Sequence, residues 1–234
     1  MLLTIGCHVW QQDENGKQFR ISGSDGHFGG SGDGIIGSLP DLDHNQVALG
    51  EFKTHNEKSF HKLAGKNWNK YVDWLVGREK DAQKFEGEGV RKAKFEHYVQ
   101  MQIYMRKMGL SVALYVAVDK NSDGIYAELV PLDTEIADQF IERADKIVWL
   151  QKAPRRIATS ASDWRCMWCD HKPVCYGKAA PDRNCRTCIF SSPQPGGNGR
   201  WACSQPDVRC DDLSAALQYT GCAHYVARSD FSAD

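Results

Sequence analysis

The sequence lacks any long apolar run. Its opening stretch, MLLTIGCHVWQQ, is short, has no basic residues ahead of it and contains His8 and Trp10, which argues against a secretory signal and a membrane span. A cytoplasmic protein without a membrane partner is the expectation. An excess of either charge is also missing: 29 Lys and Arg face 30 Asp and Glu, a net charge of −1 that by itself says nothing about nucleic acid. The composition of a disordered chain is absent too, because 41% hydrophobic and 25% charged residues over 234 positions suffice for one α/β core and a small appendage. The glycine-rich run Gly29, Gly30, Ser31 and Gly32 has no following Gly-Lys-Ser/Thr, so it is no phosphate-cradling loop and reads as a turn. Cysteine is nearly missing from the first two thirds, where Cys7 stands alone.

What is present begins with two short, apolar, β-prone runs. GDGIIG and QVALGEFKT flank the turn-rich SLPDLDHN, a pattern that predicts neighbouring strands of a hairpin. Residues two apart on a strand share a face, so Glu51 and Lys53 project together, Phe52 turns the other way towards a core, and Asp33 comes beside Glu51. Two converging carboxylates, with the Phe52 carbonyl, are hard oxygen ligands for Mg²⁺ or Mn²⁺. Lys53 adds a point charge able to position an attacking water. The competing reading is a strand-end ion pair on a solvated face.

Lys94 to Met108 contains neither Gly nor Pro and reads as a helix, on which Gln100 and Tyr104, four apart, are neighbours. Further along, SVALYVAVDKNSDGIYAELVPL predicts a strand hairpin. DTEIADQFIERADKIVWLQKA predicts an amphipathic helix capped by Asp133 or Thr134 and ended by Pro154. With strands near 5–11, 17–22, 33–37 and 46–54, the order is that of an α/β protein with a mixed sheet flanked by helices. Asp119-x-Asn121-x-Asp123-Gly124 mimics the start of a calcium loop, but Val130 stands where the bidentate carboxylate belongs, so a hairpin turn is the better reading. Asp25 and His27 are loop residues within reach of a metal or substrate only if the loop folds towards the site.

Together, Asp33, Glu51-Phe52-Lys53 and Gln100-x-x-x-Tyr104 resemble the PD-(D/E)xK nuclease superfamily, in particular its RecB-type and CRISPR-adaptation branch with the QxxxY signature. The wording EFKTHNEKSF…HYVQMQIYM…ALYVAVDKNSDGIYAE is similar to nucleases carried by tailed bacteriophages. The likeness spans residues 20 to 175 or so. It implies a restriction-endonuclease-like fold, with Asp33, Glu51, Lys53, Gln100 and Tyr104 as the catalytic set. It further implies metal-dependent cleavage of DNA with 5′-phosphate products, exonuclease action on linear DNA in phage recombination or processing, a host-cell cytoplasmic setting, and a single-strand annealing protein as a candidate partner. The branch usually carries an acidic residue on a helix before the first core strand. Here the chain opens almost at once with a strand-like segment, and Asp13 and Glu14 fall in a DENG turn. That departure keeps open an alternative, a catalytically impaired adaptor that binds DNA or protein.

Between Glu51 and Gly109, 13 Lys and Arg face 8 acids around the proposed site. The stretch is either a phosphate-binding surface or the solvated faces of helices. His55, Lys58 and Ser59, just past the Glu-x-Lys strand, are the candidates for contact with DNA phosphate.

The remaining eight of the 9 cysteines crowd into the last third with CxxC spacings. Without a signal sequence, such spacing favours metal binding over disulfides, and the missing thioredoxin-like βαβ setting disfavours redox chemistry. Cys185, Cys188, Cys203 and Cys222 have the number and spacing for a structural, tetrahedral Zn²⁺, with Cys210 and His224 as spare candidates. Residues 181–234 have too few apolar side chains for a core of their own. Cys166, Cys169 and Cys175 form a tighter group, with His171 as a local fourth ligand for zinc. The spacing also resembles the trio that helps to ligate an iron–sulfur cluster in the same nuclease branch, with Cys7 as the distant fourth ligand; zinc and iron–sulfur both stay open. The expected organisation is a nuclease core over 1–157, a Cys-rich metal-binding segment over 158–180 and a zinc-binding module over 181–234.

Overall fold

The computed structural model describes residues 2–150 and 152–229. The chain packs as two compact units, one of residues 1–21 and 29–142, the other of residues 22–28 and 143–234. No helix among the described residues is long and apolar enough to cross a membrane.

The first unit is built on a five-stranded mixed sheet. Its strands are β1 (His8–Trp10), β4 (Gly34–Gly37), β5 (Val47–His55), β6 (Val112–Asp119) and β7 (Ile125–Pro131), side by side in that order. All neighbours are antiparallel except β5 and β6, which run parallel. A parallel pair needs a long crossover, and here it is helical: α1 (Glu57–Ala64), α2 (Trp68–Leu75), α3 (Gly89–Ala93) and α4 (Phe95–Met108). The helix α5 (Thr134–Trp149) follows β7, and β2 (Arg20–Gly23) with β3 (Phe28–Ser31) makes a separate two-stranded sheet.

Strand β6 shows why the sheet sits as it does. Ala113, Tyr115 and Ala117 point to one face and pack with Phe60, Leu63, Tyr98, Met101 and Met105 from the crossover helices. Val112, Leu114 and Val116 point to the other, with Cys7, Ile36 and Ala48. The run VALYVAV is nearly continuous in apolar residues because it is buried on both sides.

Local signals account for the helix ends. Asn56 caps α1 by accepting from the Ser59 N–H at 2.9 Å. Gly109 ends α4 in the left-handed region at φ 70°. Of the two predicted caps for α5 it is Asp133 that serves, accepting from the Ile136 N–H at 3.1 Å. The tempting calcium-like loop is a hairpin turn: the Asp119 N–H reaches the Gly124 carbonyl, and the Asp119 carboxylate accepts from the Asn121 N–H and the Ser122 hydroxyl.

Three expectations are corrected. The first predicted strand is shorter than read, because Leu3–Ile5 is a 3-10 turn before β1. Gly29, Gly30 and Ser31 belong to strand β3 and not to a turn. The glycine at position 30 answers to crowding: a Cβ there would lie 2.2 Å from the Tyr104 hydroxyl. Phe52 does turn away from Glu51 and Lys53, but it is 40% exposed and enters no core.

In the second unit, β8 (Ser191–Pro193) and β9 (Trp201–Cys203) form a two-stranded antiparallel sheet, with α6 (Lys172–Tyr176) before it and α7 (Ala215–Thr220) after it in the chain.

Candidate active site

The register of β4 on β5 pairs Gly34 with Gly50, which sets Asp33 next to Glu51 across the ladder. The Asp33 carboxylate is fixed there by a bond from the backbone N–H of Phe52 at 2.9 Å. Glu51 lies on the helical face of the sheet, opposite Tyr115 in the parallel pairing, and is fully buried. Burial pushes its carboxyl pKa up. The hydrogen bond and charge of Lys53 oppose that rise, and the charge of Asp33 adds to it. Lys53, two residues on and about a quarter exposed, forms an ion pair with Glu51 Oε1, while Oε2 has no partner.

A buried, under-satisfied carboxylate of this kind is costly unless a cation completes it. An unpartnered Glu51 Oε2 beside the Asp33 carboxylate is the donor chemistry of a hard divalent ion, so Asp33, Glu51 and the Phe52 carbonyl fit Mg²⁺ or Mn²⁺.

The helix α4 brings the second motif to the same neighbourhood. The Tyr104 hydroxyl lies against Gly30, three residues before Asp33. A Cβ on Gly32 would meet Leu49 Cδ1 at 3.1 Å and Met108 Cε at 3.6 Å, so α4 lines the approach to Asp33. Gln100 is half-buried one turn before Tyr104.

Of the three predicted phosphate contacts, one lies elsewhere. His55 is buried, and its Nε2 is 3.0 Å from the Tyr115 hydroxyl, so it faces the core and not solvent. Lys58 is exposed in the first turn of α1, and Ser59 is half-buried with its hydroxyl 3.5 Å from His55 Nδ1.

His97, a residue that sequence reasoning missed, completes this cluster. Its Nδ1 is 2.9 Å from the same Tyr115 hydroxyl, and its ring stacks on that of His55. One hydroxyl proton serves one ring nitrogen, so the other ring must donate to the Tyr115 oxygen. Burial lowers both histidine pKa values, that of His55 to about 4, and neighbouring Lys94 contributes to each; Lys53 adds to the effect on His97. Burial raises the Tyr115 pKa, and the Glu51 charge raises it further. A neutral His–Tyr–His row therefore backs the Glu51–Lys53 pair. The available signal was spacing: His97 is three residues before Gln100 on one helix.

In the second unit, His27 is half-buried, with Nε2 3.0 Å from the Gln194 carbonyl and its ring edge-on to Trp149 and Trp201. Asp25 holds a left-handed backbone at φ 54°, and its carbonyl accepts from the Gly199 N–H. Cys7 packs as a small apolar side chain in the sheet core of the first unit.

The other cysteines sit in the second unit. Cys166 is buried with its Sγ 3.7 Å from the Tyr176 hydroxyl; Cys169 and Cys175 are half-buried and His171 is exposed. Cys185, Cys188 and Cys203 are buried, while Cys210 and Cys222 are half-buried. The Cys185 thiol pKa is raised by burial, then by the charges of Cys222, Cys188 and Cys203. Among the described residues no three His, Cys, Asp or Glu side chains are gathered closely enough to hold a metal ion as they stand. His224 Nδ1 is turned to Gln205 Nε2 at 3.3 Å and to Asp207 at 3.8 Å.

No protein-family model matches the chain, and no curated protein matches it. Among solved structures it is similar to one titled "Crystal structure of SSO0001", at 19% identity and a TM-score of 0.33 over 65% of this chain. The match spans about half of that structure, 52% of its chain, and a likeness of this size carries no argument about fold or function.

Proposed function

We propose that this protein is a divalent-metal-dependent deoxyribonuclease of the PD-(D/E)xK type. The reading includes a restriction-endonuclease-like core for the first unit and a small zinc-binding module at the C-terminal end. The observation that carries it is the buried Glu51 carboxylate, short of hydrogen bonds, with Asp33 and Lys53 beside it.

In this reading the Asp33 and Glu51 carboxylates and the Phe52 carbonyl would hold the ion. Mg²⁺ or Mn²⁺, when bound, supplies Lewis-acid polarisation of the scissile phosphate and lowers the pKa of a coordinated water. The Asp33 bond to the Phe52 N–H presets the ligands before any substrate arrives. Lys53, beside Glu51 and partly exposed, would orient the attacking water and offset charge developing on the phosphoryl oxygens. Tyr104 braces the segment before Asp33 from α4, and Gln100, one turn earlier on that helix, would orient the catalytic groups or contact the substrate backbone. Exonuclease action on linear DNA is the preferred mode in this reading, and non-specific or structure-specific endonuclease action is the alternative. A single-strand annealing protein is the partner such an activity serves.

The test is cleavage of end-labelled linear DNA and of covalently closed circles, with and without Mg²⁺ or Mn²⁺, by wild type and Glu51→Ala. The expected result is metal-dependent degradation of linear DNA, sparing of circles, and a loss of at least about 100-fold in the variant, the scale of removing a principal electrostatic group. Intact DNA under every metal would leave the adaptor reading in its place.

A further inference from the structure

The C-terminal part of the second unit has almost no core besides its own thiols. From residue 181 on, the buried apolar side chains among the described residues are Cys185, Cys188, Cys203 and Leu213. Three cysteines and one leucine cannot offset the entropy of ordering some fifty residues, and small domains in this position rely on disulfides or a metal. Among the described residues all the cysteines are free.

The backbone brings the segments that carry four of these thiols together from three directions, although the sulfurs themselves are not yet gathered. Cys185 and Cys188 bracket a 3-10 turn whose Asn184 and Thr187 form a capping box, with the Cys188 N–H on the Cys185 carbonyl at 3.1 Å. Cys203 lies on β9 directly opposite Ser191 of β8, and the Ser191 hydroxyl bonds the Cys185 carbonyl. Cys222 follows Gly221, where a Cβ would lie 3.4 Å from the Asn184 Cα, and its carbonyl accepts from the Arg183 guanidinium at 2.6 Å. The turn, the sheet and the chain after α7 thus meet around Cys185. Cys210 is the cross-strand partner of Cys203 and packs on the same cluster, but the thiols whose charges act on Cys185 are Cys222, Cys188 and Cys203, and Cys210 is not among them.

We propose that Cys185, Cys188, Cys203 and Cys222 form a closed, four-thiolate structural Zn²⁺ site, and that Cys210 is a neighbour outside the ligand set. This deepens the zinc module of the reading above and stands independently of the nuclease chemistry. Four soft thiolates with no fifth donor are a tetrahedral, structural arrangement for zinc. A cysteine has a single side-chain torsion, so backbones already in contact leave rotamer changes as the means of drawing the sulfurs onto the ion. Binding then releases the thiol protons and contributes folding free energy that the small core does not.

The experiment measures metal content of the full chain, purified after growth with zinc, for wild type, Cys188→Ser, Cys222→Ser and Cys210→Ser. One equivalent of zinc should disappear in the first two variants and persist in Cys210→Ser. Zinc unchanged in Cys188→Ser and Cys222→Ser, zinc lost in Cys210→Ser, or iron in its place in wild type would each overturn the site. Should the serine variants aggregate, cobalt(II)-loaded Cys222→His decides. Its ligand-field bands should move from an all-thiolate to a mixed thiolate–imidazole pattern, whereas Cys210→His keeps the wild-type bands; the reverse outcome, or no thiolate band in wild type, refutes the proposal. Glu51→Ala should keep its zinc whether or not the wild type cuts DNA, which separates this site from the nuclease reading.

Discussion

At the scale of single residues, the decisive group is Glu51. A buried carboxyl with a raised pKa favours its protonated form in the fold. Its contribution to stability is therefore complete below its unfolded value and is lost as pH rises through the raised one. The metal-free chain should accordingly lose stability as pH climbs through that range, and Glu51→Gln should flatten the slope. At pH 7 the variant should gain on the order of 1 kcal/mol, or about 2–4 °C in Tm for a chain of this length. Thermal scans in chelator across pH measure it, and an unchanged or lowered Tm would count against a strained carboxylate. Lys53 is the main opposing influence, so the effect is smaller than an isolated buried charge would give. The same scale shows where residue types mislead. His55 beside the Glu-x-Lys strand looks like a phosphate contact, but β5 buries it against Tyr115.

At the scale of elements, α4 does two jobs with neighbouring residues. Its Gln100 and Tyr104 were legible from four-residue spacing, whereas Gln102, between them, was not. Gln102 is fully buried; its Oε1 accepts from the Asp133 N–H at 2.6 Å and its Nε2 donates to the Pro131 carbonyl at 3.1 Å. It ties the end of β7 to the cap of α5. Gln102→Leu would strand both backbone groups, a cost of about 1–3 kcal/mol that urea unfolding should register. A smaller loss would mean that the cap holds without α4. The hairpin of β4 and β5 and that of β6 and β7 were read correctly because alternation and turn chemistry are local. Strand β3 was missed because glycines carry no pattern; at Gly30 the Tyr104 hydroxyl leaves no room for a Cβ.

At the scale of the whole molecule, a net charge of −1 hides an uneven distribution, with 13 basic residues against 8 acids from 51 to 109. Several of these cations are paired, Lys62 with Glu88, Arg78 with Asp73, Arg91 with Asp133 and Arg106 with Asp138. DNA binding, measured with Glu51→Ala to prevent cutting, should thus involve only part of the basic set. A log–log slope of affinity against salt on the order of −3 to −5 is expected, with Lys58→Glu weakening binding at low salt. A flat salt dependence would remove DNA from the reading.

The sequence by itself determined the order of the main strands and helices, the Asp33–Glu51–Lys53 adjacency and the crowding of eight thiols into the last third. Each follows from alternation, spacing or capping within a few dozen residues. Only the tertiary structure decided that Glu51 is buried, that Phe52 is left exposed, that His55 and His97 share the Tyr115 hydroxyl, and that Asp133 rather than Thr134 caps α5. Those outcomes depend on which strands become neighbours and what covers each face. Burial and the pairing of polar groups are properties of contacts between distant segments, and local pattern carries no record of them.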